Sequence, residues 1–573
     1  MRTLNNTRRR FIAHFAGLGL GSTLLPGVLW GQMNQAGQNR ITAEMLKSAL
    51  ALSGLEFDED ARAAMVREAN RSLDRYEKLR ALHIPDDISP PFHFTPVVPG
   101  MVVDRTLRPF RISTVRSVNR PANLEDAAHW SVRRLAELIR SRQVTALELT
   151  RMYLGRLHRH NAQLNCVVTF LDDLGLAQAA EADREIAAGK YRGPLHGIPW
   201  GAKDIIAVKG YATTWGSGAY KDRIIETDAT VVEMLREAGA VLVAKLTTGE
   251  FAHGDRHHLG QTRNPWNPSH GSSGSSAGPA AATAAGCVAF GIGTETAGSL
   301  LSPSWVCGVT TLRPTFGRVS RHGIMVLSWT QDRVGPMCRY AEDCALVMQA
   351  MARPDGRDLS VTDIPFNWDA RLDVRGLRVG FLADGFENAT GHIKENGRKT
   401  LDHVRALGVK LTPVDVPRFP YYTAALSVEK AVFHSEFFLS SRHQQMARPD
   451  LAAGFRAPRL ISAVDYLVSQ RARTMMMMKL SDATVDVDVW LSIGTHSKAG
   501  VIEESDGPTQ WHSEMANLAG YPALAVPNGL NEAGTPTSIT IYGRPFADGK
   551  VLALGKACQD AAGFHRQHPK LPA

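Results

Sequence analysis

Cysteine is scarce in this chain of 573 residues, and long runs of one charge are missing. The six cysteines form no C-x-x-C pair and are too sparse for a disulfide scaffold. The net charge of +9 is small for this length, and no lysine and arginine stripe indicates nucleic-acid binding. We therefore expect a basic surface, no nucleic-acid partner, and buried free thiols, with one isolated disulfide as the alternative.

Aspartate and glutamate are also missing from the N-terminal segment, where a basic start precedes a long apolar run. Arg8 and Arg9 stand before this run, in an order similar to the twin-arginine export signal. Pro26 and several glycines interrupt the run, which favours a signal peptide over a stable membrane span. We expect a signal over residues 1–33 and export in the folded state by the twin-arginine machinery. The mature protein is then periplasmic or secreted, without a stable span. A retained anchor and a cytosolic protein are the alternatives.

Two stretches with different patterns precede the main domain. In the first, apolar residues such as Ala61 and Met65 recur at spacings of three and four, which predicts helix. Five prolines between residues 83 and 100 then stop regular helix. We expect a small helical appendage and an extended arm over residues 34–100, packed on the main domain, and a linker over residues 101–125.

Residues 126–568 alternate between helix and strand patterns. The strand-like apolar runs read VVTFL, AVLVAKL, LRVGFLA, VDVWLSI, ALAVP and TSITIYG. The segment SVRRLAELIRSRQ is amphipathic, and Thr145 and Glu148 have the spacing of a capping box. This alternation predicts an α/β domain. The methionines Met475–Met478 fit either helical core, which is favoured, or the lining of a substrate tunnel.

A serine-rich segment, HGSSGSSAGPAAATAAG, contains a G-x-S-x-G pattern centred on Ser276. This pattern is typical of a nucleophile elbow, which needs a strand before the serine and a helix after it. The preceding TRNPWNPSHGSSG reads as loop, which argues against Ser276 as a nucleophile. Nearby, His253, His257 and His258 raise the alternative of a metal site, although a polar pocket rim or surface is favoured.

A second serine loop and a lysine segment offer better chemistry. Ser299 follows Thr296, Ala297 and Gly298, small residues that let main-chain N–H groups converge as an oxyanion hole requires. Lys203 lies in the apolar and small-residue segment GPLHGIPWGAKDII. Burial there would lower the lysine pKa from about 10.4 and leave a neutral base.

Three segments together resemble the motifs of the amidase signature family of serine amidases. They are PLHGIPWGAKD, SGSSAGPAAATAAG and GTETAGSLLSPSWVCG, and they stand in the family's order and at consistent spacing. The resemblance covers roughly residues 126–560. It implies an α/β/α sandwich around a central mixed twisted sheet, to which the N-terminal helical appendage is added.

The resemblance also implies a Ser–Ser–Lys triad and an acyl-enzyme intermediate. Lys203 is then the base, Ser275 the proton relay and Ser299 the nucleophile, and the bond Gly274–Ser275 is a cis peptide. The main-chain N–H groups of residues 296–299 form the oxyanion hole. No metal or organic cofactor is implied, and the substrate is a small-molecule or peptide amide.

Four positions depart from the family's motifs. Glu295 replaces an aspartate, Ala297 a glycine, Pro279 a serine, and Leu301 an arginine that normally braces this loop or nearby groups. None is a triad position, so these changes bear on substrate preference and rate. The alternatives are a non-catalytic exported amide-binding relative, an amidotransferase subunit that supplies ammonia, and an esterase. A homodimer is one option for the oligomeric state.

Overall fold

A computed structural model describes residues 41–52, 54–66, 69–70, 94–115, 117–416, 419, 424–494 and 508–571. The expected export signal lies outside these residues. The chain divides into two compact units, residues 1–88 with 459–462, and residues 89–458 with 463–573. In the smaller unit, helix α1 (Ala43–Leu52) buries Leu50 but leaves Leu52 exposed. Among the described residues, no helix is both long and apolar enough to cross a membrane.

The larger unit contains a mixed sheet of eleven strands in the order β1-β3-β2-β8-β10-β9-β14-β15-β13-β11-β12. Its strands are β1 (Val167–Phe170), β2 (Pro199–Lys203), β3 (Val241–Leu246), β8 (Phe290–Glu295), β9 (Thr310–Arg313), β10 (Arg333–Cys338), β11 (Val379–Phe381), β12 (Leu411–Pro413), β13 (Val489–Gly494), β14 (Ala523–Leu530) and β15 (Pro536–Gly543). Two small hairpins pair β4 (Arg256–His257) with β5 (Gly260–Gln261), and β6 (Arg263–Asn264) with β7 (Asn267–Gly271).

Helices surround this sheet, which confirms the expected α/β architecture. They are α2 (Val132–Arg140), α3 (Ala146–Leu164), α4 (Asp172–Ala187), α5 (Thr230–Glu237), α6 (Ala277–Ala284), α7 (Leu301–Cys307), α8 (Ala341–Met351), α9 (Ala383–Glu387), α10 (Gly391–Ala406), α11 (Ala424–Phe433), α12 (Ser435–Leu439), α13 (Leu451–Arg456), α14 (Ala463–Ala483), α15 (Pro508–Leu518) and α16 (Asp548–Ala562). Helix α3 begins with the predicted capping box, in which Thr145 and Glu148 satisfy each other's main-chain N–H groups.

The sheet topology brings the ends of several strands to one edge. Strand β2 lies parallel to β3 and to β8, while β10 runs antiparallel to β8. The last residues of β2 and β8 therefore lie at the same edge as the first residues of β10. Lys203 is the last residue of β2, and Glu295 is the last residue of β8.

All six predicted strand-like runs contribute strands to the sheet, but β2, β8, β9 and β10 were not anticipated. Glycine or proline disguises three of these four. A Cβ at Gly201 of β2 would lie 2.4 Å from the Leu246 side chain, and one at Gly293 of β8 would lie 2.7 Å from Ser276 Oγ. Both positions need glycine because neighbouring groups approach the strand closely.

Three local expectations are settled by the packing. The six cysteines are free and buried, as predicted. Met476 and Met477 are core residues, whereas Met475 and Met478 are exposed, so the core interpretation holds for half of the run. The expectation of loop before Ser276 was wrong, because residues 267–271 form β7. Asn264, Trp266 and the β6–β7 turn provide the local hydrogen bonds that make this hairpin.

Candidate active site

Lys203 is fully buried at the end of β2, and its ammonium group contacts hydroxyl oxygens. Nζ donates to Ser275 Oγ at 2.8 Å, to Ser276 Oγ at 3.1 Å and to Thr294 Oγ1 at 2.9 Å. Burial lowers the pKa of Lys203 to about 7, although the charges of Asp332 and Glu295 oppose this shift. The site therefore holds a lysine that can lose its proton near neutral pH.

Ser275 and Ser276 connect the hairpin to helix α6. The bond Gly274–Ser275 is cis, in agreement with the resemblance. The chain approaches its neighbours closely here, because a Cβ on Gly274 would lie 1.9 Å from the carbonyl oxygen of Gly254. Glycine at this position is therefore a packing requirement rather than the mark of a flexible linker.

Ser276 takes part in the lysine environment, although the sequence pattern around it gave no valid reason to select it. Its Oγ donates to the carbonyl oxygen of Thr294 at 3.0 Å and accepts from the Thr294 main-chain N–H at 3.2 Å. It also accepts from Lys203. The residue is fully buried, so its side chain fixes Lys203 against β8 and is not presented at the surface as a nucleophile elbow requires.

The loop of residues 296–299 leads from β8 towards helix α7. The carbonyl oxygen of Ser299 accepts a 3.1 Å hydrogen bond from the Ser276 main-chain N–H, which joins the two serine segments. Ser299 is partly exposed, whereas Ser275 is buried. Within the described chain, the main-chain N–H groups of Ala297, Gly298 and Ser299 donate to no protein atom. Gly298 has φ +98°, a conformation that favours glycine.

Glu295 holds the other end of this loop. Its Oε2 accepts from the main-chain N–H groups of Leu300 and Leu301 at 2.8 and 2.9 Å. Its Oε1 forms a buried ion pair with Arg313 Nη1 at 2.9 Å. Burial opposes ionisation, but Arg313 and Arg333 hold the pKa of Glu295 below its usual range. Although leucine replaces the family's arginine at position 301, the loop keeps a cation because β9 supplies Arg313.

Asp332 was not selected from the sequence, yet it contacts the same loop. Thr296 Oγ1 donates to Asp332 Oδ1 at 2.6 Å. The other carboxylate oxygen accepts from the main-chain N–H groups of Leu327 and Ser328 at 2.8 and 3.0 Å. Burial raises the pKa of Asp332, and these hydrogen bonds oppose the rise. The loop of residues 327–332 is thus tied to the loop that carries Ser299.

Helices α11 and α14 secure loop 327–332 from its far side. Glu429 of α11 accepts from Ser328 Oγ at 2.6 Å and from the Thr330 main-chain N–H at 3.0 Å. Arg473 of α14 donates to the Thr330 carbonyl oxygen at 2.9 Å. Sequence reasoning could not find these contacts, because the residues are separated by about a hundred positions and belong to no motif.

The three histidines considered for a metal have protein partners or lie elsewhere. His253 is paired with the carbonyl oxygen of Phe251 at 2.7 Å, and His257 Nε2 lies 3.3 Å from Thr262 Oγ1. Burial lowers the pKa of both histidines to about 4. In the described residues, no group of three histidine, cysteine, aspartate or glutamate side chains is arranged to hold a metal ion.

Comparisons with known proteins identify the family. The amidase family profile matches residues 148–552. This chain belongs to the amidase signature family. A glutamyl-tRNA(Gln) amidotransferase subunit of Roseiflexus sp. (strain RS-1) is 34% identical over 471 residues, which cover 75% of this amidase and 96% of that protein. The corresponding subunit of Geobacter metallireducens is 32% identical and covers 76% and 98% of the two chains.

Solved structures give the same result for the fold. The native peptide amidase from Stenotrophomonas maltophilia is similar with a TM-score of 0.69 and 28% identity, over 78% of this chain and 99% of that one. The glutamyl-tRNA(Gln) amidotransferase subunit from Thermotoga maritima has a TM-score of 0.66 and 25% identity, over 78% and 98%. The protein is therefore an amidase-family C–N hydrolase with the amidase-signature fold.

Proposed function

We propose that this amidase hydrolyses carboxamides through an acyl-enzyme on Ser299, with Ser275 as proton relay and Lys203 as base. The observation that carries the proposal is the 2.8 Å contact between Lys203 Nζ and Ser275 Oγ in a buried site. The lysine there has hydroxyl and carbonyl partners, so nothing in direct contact fixes its positive charge.

The proposed reaction moves one proton along the three residues in each direction. Neutral Lys203 accepts the proton of Ser275, which accepts that of Ser299, while Ser299 Oγ attacks the carbonyl carbon. Proton return through Ser275 to the amide nitrogen allows the C–N bond to break and the amine to leave. Water then attacks the ester of Ser299 by the same route, and the carboxylic acid is released.

Charge on the carbonyl oxygen is balanced by main-chain donors in this proposal. The N–H groups of residues 297–299 are free of protein acceptors, which supports an oxyanion hole there, together with the N–H of Thr296. One such donor contributes about 3–4 kcal/mol in a characterised serine hydrolase. Glu295 and Asp332 hold the two ends of the loop, so the donors are in place before the substrate binds.

The test is reaction with a fluorophosphonate, followed by intact mass measurement and by amidase assays on a set of primary and secondary carboxamides. We expect one adduct on the wild-type protein and none on Ser299→Ala. Ser302→Ala is the matched control, because Ser302 is also partly exposed and lies on the adjoining helix α7. Equal labelling of Ser299→Ala, or no labelling of the folded wild type, overturns the serine mechanism and favours a non-catalytic amide-binding protein.

A second candidate substrate comes from the relatives named as amidotransferase subunits. If this chain resembles them in substrate, glutamine should be its amide. Ammonia release from glutamine, compared with release from peptide C-terminal amides and simple aryl amides, separates the candidates, and matched esters measure any esterase preference. We expect turnover of carboxamides by this chain alone. Hydrolysis of glutamine only would favour the amidotransferase interpretation.

Export remains part of the proposal and rests on Arg8 and Arg9 with the apolar run behind them. Replacing both arginines by lysine should leave the protein in the cytosol, whereas the wild-type chain should appear in the periplasmic fraction or the medium. Cell fractionation with an activity assay measures this. Equal distribution of the two chains would overturn a twin-arginine signal. Size-exclusion chromatography with light scattering tests the homodimer.

A further inference from the structure

A cleft of about 600 Å³ opens in the larger unit, away from the serine loops. Its walls are the extended segment of residues 102–111, the loop of residues 365–372 and the turn of residues 544–550 before and at the start of α16. Arg378 and Asp488 complete the lining. The volume is that of a site for a small organic molecule.

The sheet topology separates this cleft from the candidate active site. Arg378 and Asp488 directly precede β11 and β13, and Arg544 directly follows β15. In the strand order, five steps lead from β8 to β13. At about 4.8 Å for each step, the two sites are on the order of 24 Å apart along the sheet. A ligand in the cleft would therefore not touch Lys203.

The walls of the cleft are held by hydrogen bonds, so its shape is formed in advance. The main-chain N–H of Arg111 donates to the Trp368 carbonyl oxygen at 3.0 Å, and Ala370 donates back to Arg111 at 2.9 Å. Asn367 Nδ2 donates to the Thr106 carbonyl oxygen at 2.8 Å. A Cβ on Gly549 would lie 2.0 Å from the Asn367 carbonyl oxygen, which requires glycine where α16 meets this loop.

Positive charge exceeds negative charge along the lining. The cations are Arg108, Arg111, Arg378, Arg544 and Lys550, and the anions are Asp104, Asp369 and Asp488. Asp488 is shared, since Lys550 Nζ lies 2.9 Å and Arg378 Nε 3.4 Å from its carboxylate oxygens. Arg544 donates to the carbonyl oxygens of Ser481 and Thr484 and has no ion pair within the described chain.

The lining also offers apolar surface and one unsatisfied donor. Trp368 and Phe546 line the cleft beside Pro109 and Leu372. Trp368 is 2% exposed, and its indole Nε1 has no hydrogen-bond partner in the described part of the protein. A buried donor without an acceptor is unfavourable, so a ligand or water that brings an acceptor would stabilise this wall.

We propose that this cleft is a second ligand site, which takes a small organic anion consisting of a carboxylate on an apolar body. Excess cations recognise the carboxylate, and the aromatic and proline surfaces cover the body. Either a free acid or the C-terminus of a short peptide supplies this chemistry. Neither the family membership nor the proposed triad assigns a function to these residues.

Isothermal titration calorimetry of the full-length protein tests the proposal. The probes are 4-phenylbutyrate, its uncharged counterpart 4-phenylbutanol, and acetyl-Ala-Phe with a free carboxylate. We expect one site for at least one of the two acids, with affinity that falls as salt screens the charges, and at least tenfold weaker binding of the alcohol. The stronger acid identifies the source of the carboxylate. Equal affinity for acid and alcohol, or no heat with either acid, overturns the proposal.

Variants locate the binding. Lys550→Gln removes a cation, and Leu372→Glu adds an anion at a partly exposed position, so each should weaken acid binding about tenfold. Lys556→Gln is the control, because its ion pair with Asp560 lies outside the cleft lining. All three should keep the wild-type unfolding temperature and amidase activity. Unchanged affinity in both cleft variants would place the bound acid elsewhere and overturn the assignment.

Discussion

Two buried lysines on neighbouring strands have opposite surroundings. Lys203 ends β2, and Lys245 lies on the parallel strand β3, paired in register with Ala202. Both side chains are fully buried. Lys245 Nζ lies 2.8 Å from a carboxylate oxygen of Asp204, the residue after Lys203. Lys203 instead donates to the hydroxyls of Ser275, Ser276 and Thr294.

This difference shows how partners decide what a buried lysine can do. Burial lowers the pKa of both side chains, and Asp204 opposes the shift of Lys245. A carboxylate in contact stabilises the ammonium form, so Lys245 acts as a charged anchor for the end of β2. Hydroxyl partners stabilise the ammonium form less, so Lys203 with a pKa of about 7 can act as a base.

Replacing each lysine by methionine gives the sharpest separation of the two roles. Lys203→Met should lower kcat/KM by about 10²–10⁴-fold, the range for loss of a general base. The protein should remain folded, because methionine occupies similar space without a buried charge. Carboxamide kinetics and thermal unfolding measure the two effects. Activity within tenfold of wild type would show that Lys203 is not the base.

Lys245→Met should mainly reduce stability. Removal of one partner of a buried ion pair costs about 3–5 kcal/mol, because Asp204 then remains buried without a cation. The exposed pair of Lys556 and Asp560 provides the control, and Lys556→Met should change the free energy of unfolding by less than about 1 kcal/mol. Denaturant unfolding measures both. If Lys245→Met unfolds like wild type but loses activity, the proposed division between anchor and base is wrong.

The sequence predicts the catalytic positions better than the contacts that support them. Lys203, Ser275 and Ser299 lie in local motifs whose order and spacing are readable. The ion pair between Asp204 and Lys245 is not readable, because it depends on which strand lies beside β2. The same holds for Glu295, whose cation comes from β9 only because the sheet brings β8, β10 and β9 together in that order.

Strand prediction failed for a related physical reason. Runs rich in branched apolar residues, such as residues 487–493, gave strands because their pattern is strong. β2 and β8 carry glycine where side chains from neighbouring segments occupy the space of a Cβ, as at Gly201 and Gly293. Glycine lowers strand propensity, so the tight packing around the candidate site hides the strands that position it.

The pH dependence of activity can test the electrostatic contrast directly. Because Lys203 must be neutral to accept a proton, kcat/KM should rise with pH through about 7 and fall about tenfold for each unit below it. Asp332→Asn removes a charge that stabilises the ammonium form and should shift this limb to lower pH. A pH–rate profile with an uncharged amide measures both shifts. A flat wild-type profile between pH 5 and about 8 would contradict the assignment.

Ser276→Ala asks how much the hydroxyl partners of Lys203 matter one by one. Ser276 Oγ accepts from Lys203 at 3.1 Å and donates to the Thr294 carbonyl oxygen at 3.0 Å, whereas the shorter 2.8 Å contact is with Ser275. A hydrogen bond contributes about 0.5–1.5 kcal/mol net, so we expect kcat to fall roughly 2–13-fold with little change in KM.

The control for Ser276→Ala is Ser272→Ala, a buried serine whose Oγ donates to the carbonyl oxygen of Ser273 and not to the lysine. It should leave kcat and the acid limb of the pH profile unchanged. A loss for Ser276→Ala as large as that for Lys203→Met would mean that Ser276, and not Ser275, carries the proton. Hydroxyl contact alone would then not distinguish the relay from its neighbour, and the cis bond before Ser275 would not mark the reactive serine.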